Sequence, residues 1–526
     1  MVLRRLTAPA VLGLGAAAAG VIGIVSALTP EFADRFDLVG GVLPPGFPEI
    51  ARVSALAFGI VLIWLSRSLA RRRYRAWKLA VALVVASAVA HMAKGLDFEE
   101  ATASLVLLAA LWYWRREFWV RGDPATRWPL AQAVAGLAWV SLLVWLRLTD
   151  HVRFSERIEE ALLAIGGVLA LRALYLWFRP HVYRGGQSPA QREAAEEIVR
   201  EEGRDSLCYF ALRRDKSWFF SPSGHSFLAF KVVQGVALVS GEPIGEPEEL
   251  PGLFADFLRE AHTRGWRVAV VGASESTLEL YRRLGLRSLY IGDEAIVRPG
   301  EFSLEGRAIR KVRQSVTRLH KAGYTARVLE PSEVDEELRA QIEEVSCEWR
   351  AGAPERGFSM AMDALFAYPE SMILVAENMD GRVGGFLQLV PVPATNGYSL
   401  STMRRRLDTP NGLMEFLIVE ALAWAKEREV SEVSLNFAMF GRILRADESS
   451  PRRLRLARWL LLRADRIFQI ERLHTFNRKF FPEWRPRYLC FERLTDLPLV
   501  GLVYGHLEGF VVPPGPWTRT HDLALA

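Results

Sequence analysis

Residues 292–324 read GDEAIVRPGEFSLEGRAIRKVRQSVTRLHKAGY. The stretch opens as the end of an apolar strand carrying two acids, Asp293 and Glu294, and turns at Pro299-Gly300. It then takes helical spacing, with Ser303 expected as the N-cap and Gly323 as the stop. At about 100° per residue, Ile309, Val312, Val316 and Leu319 share one side. Arg307, Arg310, Lys311, Gln314, Arg318 and Lys321 share the other. A solvated helix face ordinarily mixes signs. This one holds no acid, so the spacing points to a polyanionic partner, against the alternative of a merely solvated face.

Upstream, the composition changes. The chain has 526 residues, half of them hydrophobic, and a formal net charge of +6; the isoelectric point is about 9.2 and the mean hydropathy +0.11. Such a balance suits a membrane surface or a nucleic acid. Six apolar segments lie in the first third, near Ala8–Leu28, Ile50–Leu65, Trp77–Ala93, Ala101–Trp114, Trp128–Leu146 and Ala161–Phe178. A helical crossing takes roughly 20 apolar residues, so the fourth is short. Arg4-Arg5 ahead of the first resembles a signal peptide, but that run is long and more follow, so it reads as retained. Basic loops (Arg67–Lys78; Arg115–Arg127) alternate with acidic or mixed ones, which predicts both ends of the segment array on the cytoplasmic side. Tryptophans cluster at segment ends, as interfacial belts do. His91 and Arg172 lie near segment ends, where snorkelling accounts for them.

From about Arg184 strands alternate with helices, which predicts an α/β layer structure. Paired strands are expected at Phe227–Val233 and Gly235–Val239, a helix at Leu250–Thr263, a strand at Trp266–Val271, a helix at Ser274–Leu284 and a strand at Ser288–Val297. The order recurs: a helix at Glu336–Arg350, a hairpin of Met372–Glu377 with Val383–Val390 across Asp380-Gly381, a strand at Tyr398–Thr402, a helix at Leu413–Lys426 and a strand at Val433–Phe437. The expected architecture is a multi-pass α-helical membrane domain (1–183) followed by tandem N-acetyltransferase-like α/β units (184–300 and 301–515) and a tail (516–526). That fold analogy names no substrate. An acyl-CoA transferase of that fold carries a glycine-rich pyrophosphate loop before a helix. Here the equivalent places hold Gly241–Pro247, acidic and proline-rich, and Arg404–Gly412, with three arginines, so coenzyme A is not expected. The three cysteines, Cys208, Cys347 and Cys490, are too scattered for a disulfide framework or a zinc site. Neither cofactor nor metal is expected.

The residues also carry a resemblance. Gly292-Asp293-Glu294-Ala295, Phe302-Ser303-Leu304-Glu305-Gly306 and Lys321-Ala322-Gly323-Tyr324 resemble the cytoplasmic domain of the phosphatidylglycerol lysyltransferases, the multiple peptide resistance factors. So do Asp215-Lys216, Gly241–Gly245, Trp349, Glu355–Ser359, Met403-Arg404, Asn436 and Lys479–Tyr488. The match runs in order over roughly 300 residues. It implies transfer of an aminoacyl group, lysine first, from aminoacyl-tRNA to phosphatidylglycerol at the inner leaflet of the plasma membrane, lowering its negative charge and contributing to resistance against cationic antimicrobial peptides. Two departures stand out: Ser401 occupies the place of a family aspartate, and Asn436–Gly441 reads N-F-A-M-F-G instead of N-L-G-M-A-P. This variant resembles the domain that actinobacteria fuse to a lysyl-tRNA synthetase; with the sequence ending at Ala526 no synthetase is expected, and because six spans leave no room for the additional ones of larger family members, no lipid-flipping module is expected either.

For this chemistry the candidate acids are Asp293, Glu294, Glu348, Glu355 and Glu415, one of them also wanted for the donor's amino group; for Glu415, dipole compensation in a first helical turn is the alternative. Candidate cations for tRNA and lipid phosphate are Arg307, Arg310, Lys311, Arg318, Lys321, Arg404, Arg405, Lys479, Arg485 and Arg487; interleaved aromatics suit unpaired nucleotides. Trp349, Phe358, Ser359, Met403, Asn436 and Tyr488 are expected to line the pocket. Pro451–Phe468 is a basic amphipathic helix, either interfacial or packed on the second unit. Transfer to another lipid or a cell-wall precursor, and a non-catalytic tethered RNA- or lipid-binding protein, are the rival readings.

Overall fold

The computed structural model describes residues 7–28, 47–95, 98–120, 126–148, 155–179, 187–351, 357–439 and 470–511. The chain forms two compact units, residues 1–182 with 260–266, and 183–259 with 267–526.

The first unit is helical: α1 (Ala8–Leu28), α2 (Phe47–Ala70), α3 (Tyr74–Gly95), α4 (Phe98–Tyr113), α5 (Arg127–Leu148) and α6 (Glu156–Phe178). Among the described residues three helices, within α1, α5 and α6, are long and apolar enough to cross a membrane; the apolar stretches Leu56–Ala70 and Thr102–Tyr113 are shorter. Small residues let α1 and α2 approach closely, as in lipid-embedded helix pairs. A Cβ on Gly20 would lie 2.5 Å from the Gly59 carbonyl oxygen, and one on Gly59 2.6 Å from that of Gly20. A larger residue at either place would force the helices apart.

Among the described residues, the second unit is built on one 12-stranded sheet. Its strands are β1 (Ser217–Phe220), β2 (Ser226–Val233), β3 (Val236–Ser240), β4 (Ile244–Gly245), β5 (Arg267–Ser274), β6 (Arg287–Val297), β7 (Thr325–Leu329), β8 (Met372–Glu377), β9 (Val383–Val392), β10 (Gly397–Arg405), β11 (Glu432–Met439) and β12 (Glu483–Phe491). They lie in the order β1-β2-β3-β5-β12-β6-β11-β10-β9-β8-β7, with β4 against β2. The helices after residue 186 are α7 (Pro189–Glu202), α8 (Leu250–Thr263), α9 (Leu278–Arg283), α10 (Arg310–Lys321), α11 (Glu336–Arg350), α12 (Leu413–Glu427), α13 (Ile470–Asn477) and α14 (Leu497–Leu507). Parallel pairs need crossover connections. Among the described residues two occur, β3 with β5 through α8 and β10 with β11 through α12. The repeated α/β order expected from the sequence is therefore present. The last strand, β12, runs antiparallel between β5 and β6, so the end of the chain completes the sheet beside strands from its beginning.

Alternate residues of β8 face opposite sides, as the period of two requires. Leu374 and Ala376 join the core under α10 and α12, whereas Ile373 and Val375 pack with Leu338, Ile342 and Val345 of α11. Helices α10 and α11 thus cover opposite faces. Ile309, just ahead of α10, and Val312, Val316 and Leu319 within it are buried and the cationic side is exposed, as their spacing predicts. The cap is corrected: the helix starts at Arg310, and Ser303 Oγ instead accepts from the Glu305 backbone, closing a turn of its own. Helix α10 ends at Lys321, followed by Gly323 at φ +78°, a conformation that favours glycine. The expected helix at Ser274–Leu284 is a 3-10 turn (Glu275–Thr277) followed by the short α9.

Candidate functional site

The site begins where the second parallel pair separates. β10 and β11 share only the rungs Gly397–Ser399 with Glu432–Ser434. β11 then bulges against β6 between Ser434 and Phe437, with Asn436 at φ +71°. Asn tolerates that left-handed geometry better than most residues. Its side-chain amide donates to the carbonyls of Leu400 (2.9 Å) and Met360 (2.8 Å), tying the opened strand to residues 357–362.

That segment is held from several sides. Buried Arg213 donates through Nη1 to the carbonyls of Gly357 and Ala361. Ser401 Oγ accepts from Met362 N (3.0 Å) and donates to Gln388 Oε1 (2.9 Å). The carboxylate of Glu508, buried beyond the end of α14, accepts from Phe358 N (2.9 Å), Ser359 N (3.0 Å) and Ser359 Oγ. Lys216 is buried with its Nζ 4.8 Å from the centre of the Phe358 ring, donating to Phe210 O (2.6 Å) and Ser240 Oγ (2.7 Å). Burial holds its pKa well below the ordinary lysine range.

On the α11 side of the segment lies a cleft of about 660 Å³. One stripe of α11 (Arg339, Glu343, Cys347 and Arg350) faces Met362–Ala367, with Thr402 and Arg404 of β10 also lining it. Asp335 caps α11 by accepting from Leu338 N at 2.8 Å, fixing where that stripe points. Arg339 lies 4.5 Å over the Phe366 ring, and Arg404 donates to Ser346 Oγ. Three guanidinium groups on a partly aromatic wall suit phosphate or a nucleobase.

A buried charge cluster lies beside the segment. Arg487 donates to Glu294 Oε2 through Nε (2.9 Å) and Nη2 (2.6 Å), and to Asp205 Oδ2 through Nη1 (2.7 Å). Gly272 O and Ser206 Oγ take further bonds from it, and Ser434 Oγ donates to Glu294 Oε1 at 2.5 Å. One guanidinium thus serves two carboxylates. Burial alone would raise Glu294, but Arg487 and the hydroxyls of Ser206 and Ser434 bring it below the ordinary value. Asp205 is pushed up to about 6, chiefly by burial, with Arg487 opposing and the negative charges of Glu242 and Glu294 adding to the rise.

The expected site residues therefore fall in several places. Arg404 lines the cleft; Phe358, Ser359 and Asn436 belong to the bound segment and its tether. Trp349 is 46% exposed on α11, and Met403 packs on the core under α10 and α12. Asp293 and Glu294 are both buried. Several expected phosphate-binding cations are engaged by protein acceptors. Arg487 is buried between carboxylates; Arg485 pairs with Glu432 (2.8 Å) and Glu483 (3.1 Å); Lys479 pairs with Glu415 (2.6 Å). Glu348, a further candidate acid, accepts from Leu407 N. Arg405 donates to Thr409, and Tyr488 packs edge-on against Tyr290. Arg307, Arg310, Lys311, Arg318 and Lys321 are exposed, Arg318 donating to Asn411 O (2.9 Å), on the face opposite the α11 cleft. Glu355 and Pro451–Phe468 lie outside the described residues. Sequence reasoning missed Glu508, Asp205, Arg339 and Arg350. For the two arginines the signal was their i, i+4, i+8, i+11 stripe with Glu343 and Cys347.

The fold and the held segment beside an arginine-lined cleft define an α/β protein with a candidate anion-binding cleft. Residues 196–491 match the profile of the family described as phosphatidylglycerol lysyltransferase, C-terminal, and the chain belongs to that family. It is 33% identical over 502 residues to a lysylphosphatidylglycerol biosynthesis bifunctional protein LysX of Rhodococcus jostii, covering 88% of this chain and 45% of that protein. It is 34% identical over 521 residues to its counterpart in Mycolicibacterium gilvum (90% and 47%). The chain spans about half the length of these curated relatives. Among solved structures it is similar to L-PGS from Bacillus licheniformis (TM-score 0.55, 24% identity, covering 62% of this chain and 97% of that one). It is also similar to the C-terminal domain of a putative lysylphosphatidylglycerol synthetase from Agrobacterium fabrum (TM-score 0.53, 26% identity, 62% and 98%).

Proposed function

We propose that this chain transfers an aminoacyl group, lysyl in the first instance, from aminoacyl-tRNA to a glycerol hydroxyl of phosphatidylglycerol. The reaction takes place at the cytoplasmic leaflet of the plasma membrane, to which the helical first unit fixes it by multiple crossings. The lipid oxygen attacks the ester carbonyl, the bond to the terminal ribose breaks, and the hydroxyl proton passes to the released ribose oxygen. One ester replaces another, so positioning and charge stabilisation carry most of the catalysis. The observation that carries this reading is the cleft holding Arg339, Arg350 and Arg404 beside the 357–362 segment, in a chain of this family. The arginines supply the charge for phosphate groups of donor and acceptor, and Glu343 and Asp363 of the same cleft supply carboxylates for the donor's ammonium group. The exposed stripe of α10 offers a separate, sequence-independent hold on the body of the RNA.

Lipids extracted from a host lacking aminoacylated phosphatidylglycerol, with and without this chain, test the proposal. A new, positively charged phosphatidylglycerol derivative is expected, lost with Arg404→Ala. A modified lipid of another headgroup would reassign the acceptor, and an unchanged lipid profile would refute the transfer.

A further inference from the structure

Helix α14 is apolar on more than its core side. Val500, Val503 and Tyr504 are buried, yet from Leu497 to Leu507 no residue carries a formal charge, apart from the titratable His506. A solvated helix keeps its charged residues on the outer face. Here Leu502 is 40% exposed, and Leu494, just ahead of the helix, is 59% exposed. Leu289 of β6, 43% exposed, pairs directly with Leu489 of β12. Paired residues project from the same sheet face, and Leu489 shares a core with Val500 and Val503. Leu289 therefore stands on the face that α14 covers. Arg287, which pairs with Phe491 in that same core, and Arg493, next to Leu494, are exposed, and among the described residues neither is bonded to a carboxylate.

We propose that α14, with Leu494 and Leu289, is a lipid-docking surface that lies on an anionic bilayer. Exposed leucines with guanidinium groups nearby are the composition of an interfacial helix, apolar side chains entering the acyl boundary and cations meeting lipid phosphates. A protein partner would favour aromatic anchors, and leucine is under-represented at such hot spots. The surface is also continuous with the site. Glu508 follows Leu507 directly and holds Phe358 and Ser359, so a helix seated on lipid places the 357–362 segment beside the bilayer. The inference deepens the proposed function and rests on its lipid acceptor.

The test uses the full chain in nanodiscs with Cys347→Ser, since Cys208 and Cys490 are buried. An environment-sensitive fluorophore is placed at Leu502→Cys, at Leu494→Cys as a second position, and at Met379→Cys, an 85% exposed residue of the β8–β9 turn, as the reference. Lipids spin-labelled near the headgroup are expected to quench the probes at 502 and 494 about threefold more than at 379, and replacing phosphatidylglycerol by phosphatidylcholine should reduce that difference. Equal quenching at all three positions overturns the proposal. So does a 502 probe shielded from aqueous iodide yet untouched by labelled lipid, which would mark a contact between copies. Lipid product is measured separately, on the unsubstituted chain in the same nanodiscs: quenching with no product would refute the transferase reading and leave the docking surface, and product without quenching would do the reverse.

Discussion

Arg487 and Glu294, 193 residues apart, are joined by two hydrogen bonds inside the sheet, Nε and Nη2 both reaching Oε2. Neighbouring strands β12 and β6 bring them together, and both side chains are almost wholly buried. Removing one partner of a buried pair leaves an uncompensated charge, which costs about 3–5 kcal/mol. Arg487→Ala should therefore lower the melting temperature of the purified chain sharply, and Arg487→Lys should not restore it, because an ammonium cannot reproduce the planar fork that also reaches Asp205. A melting temperature unchanged in Arg487→Ala would remove the cluster from the stability account.

The same cluster sets a pH dependence. In the folded chain Asp205 titrates near 6, above the usual 3.8. The folded state then binds the extra proton between those values, so this group's contribution to stability increases as pH falls through about 6 toward 4. Glu294 has the opposite sign: its pKa is lowered, so its stabilisation is present above the unfolded carboxylate value and is lost on further acidification. Melting temperatures measured from pH 7 to 4.5 should show the Asp205 contribution as a gain on acidification that Asp205→Asn removes. A mutant profile parallel to the wild type would contradict the assignment.

Glu508 receives two backbone N–H groups and the Ser359 hydroxyl. Glutamine keeps the shape but offers a single acceptor oxygen and no charge, and each hydrogen bond to a charged group is worth about 1.5–3 kcal/mol. Glu508→Gln is expected to reduce aminoacyl transfer by about 10²-fold, more through kcat than through the KM for lipid. Transfer rates in detergent-lipid micelles check this; full activity in Glu508→Gln would free the 357–362 segment from any positioning role.

Reversal of the α10 stripe, Arg310, Lys311 and Arg318 to Glu, separates RNA binding from folding, since these side chains are exposed and the core side of the helix is untouched. The KM for donor RNA should rise at least about tenfold, with a shallower dependence of binding on salt, while membrane insertion is unaltered. Filter binding at several ionic strengths measures it, and unchanged affinity would make the stripe a solvated face.

The regular elements of the second unit were legible in local period. The 3.6-residue spacing set the buried side of α10, the turn at Asp380-Gly381 marked the β8–β9 hairpin, and α11 runs over Glu336–Arg350 as expected. What could not be read was pairing across distance. The segment Lys479–Tyr488 reads as exposed cations among aromatics because the acids that hold Arg487 and Arg485, namely Asp205, Glu294 and Glu432, stand far off in sequence. β12 closes the gap between β5 and β6, and nothing local announces it. Glu508 was hidden for the same reason: it follows an apolar helix, and its partners Phe358 and Ser359 lie 150 and 149 residues away. The cleft combined both kinds of information, since the α11 stripe is periodic but Arg404 arrives from another strand.

The most direct test of the transferase account is to incubate membranes containing the chain with lysyl-tRNA labelled in its lysine, with phosphatidylglycerol present, and then to extract the lipids. Label is expected in a phosphatidylglycerol derivative, abolished when RNase precedes the membranes and absent when free labelled lysine replaces the charged RNA. No labelled lipid from lysyl-tRNA or any other aminoacyl-tRNA would contradict it.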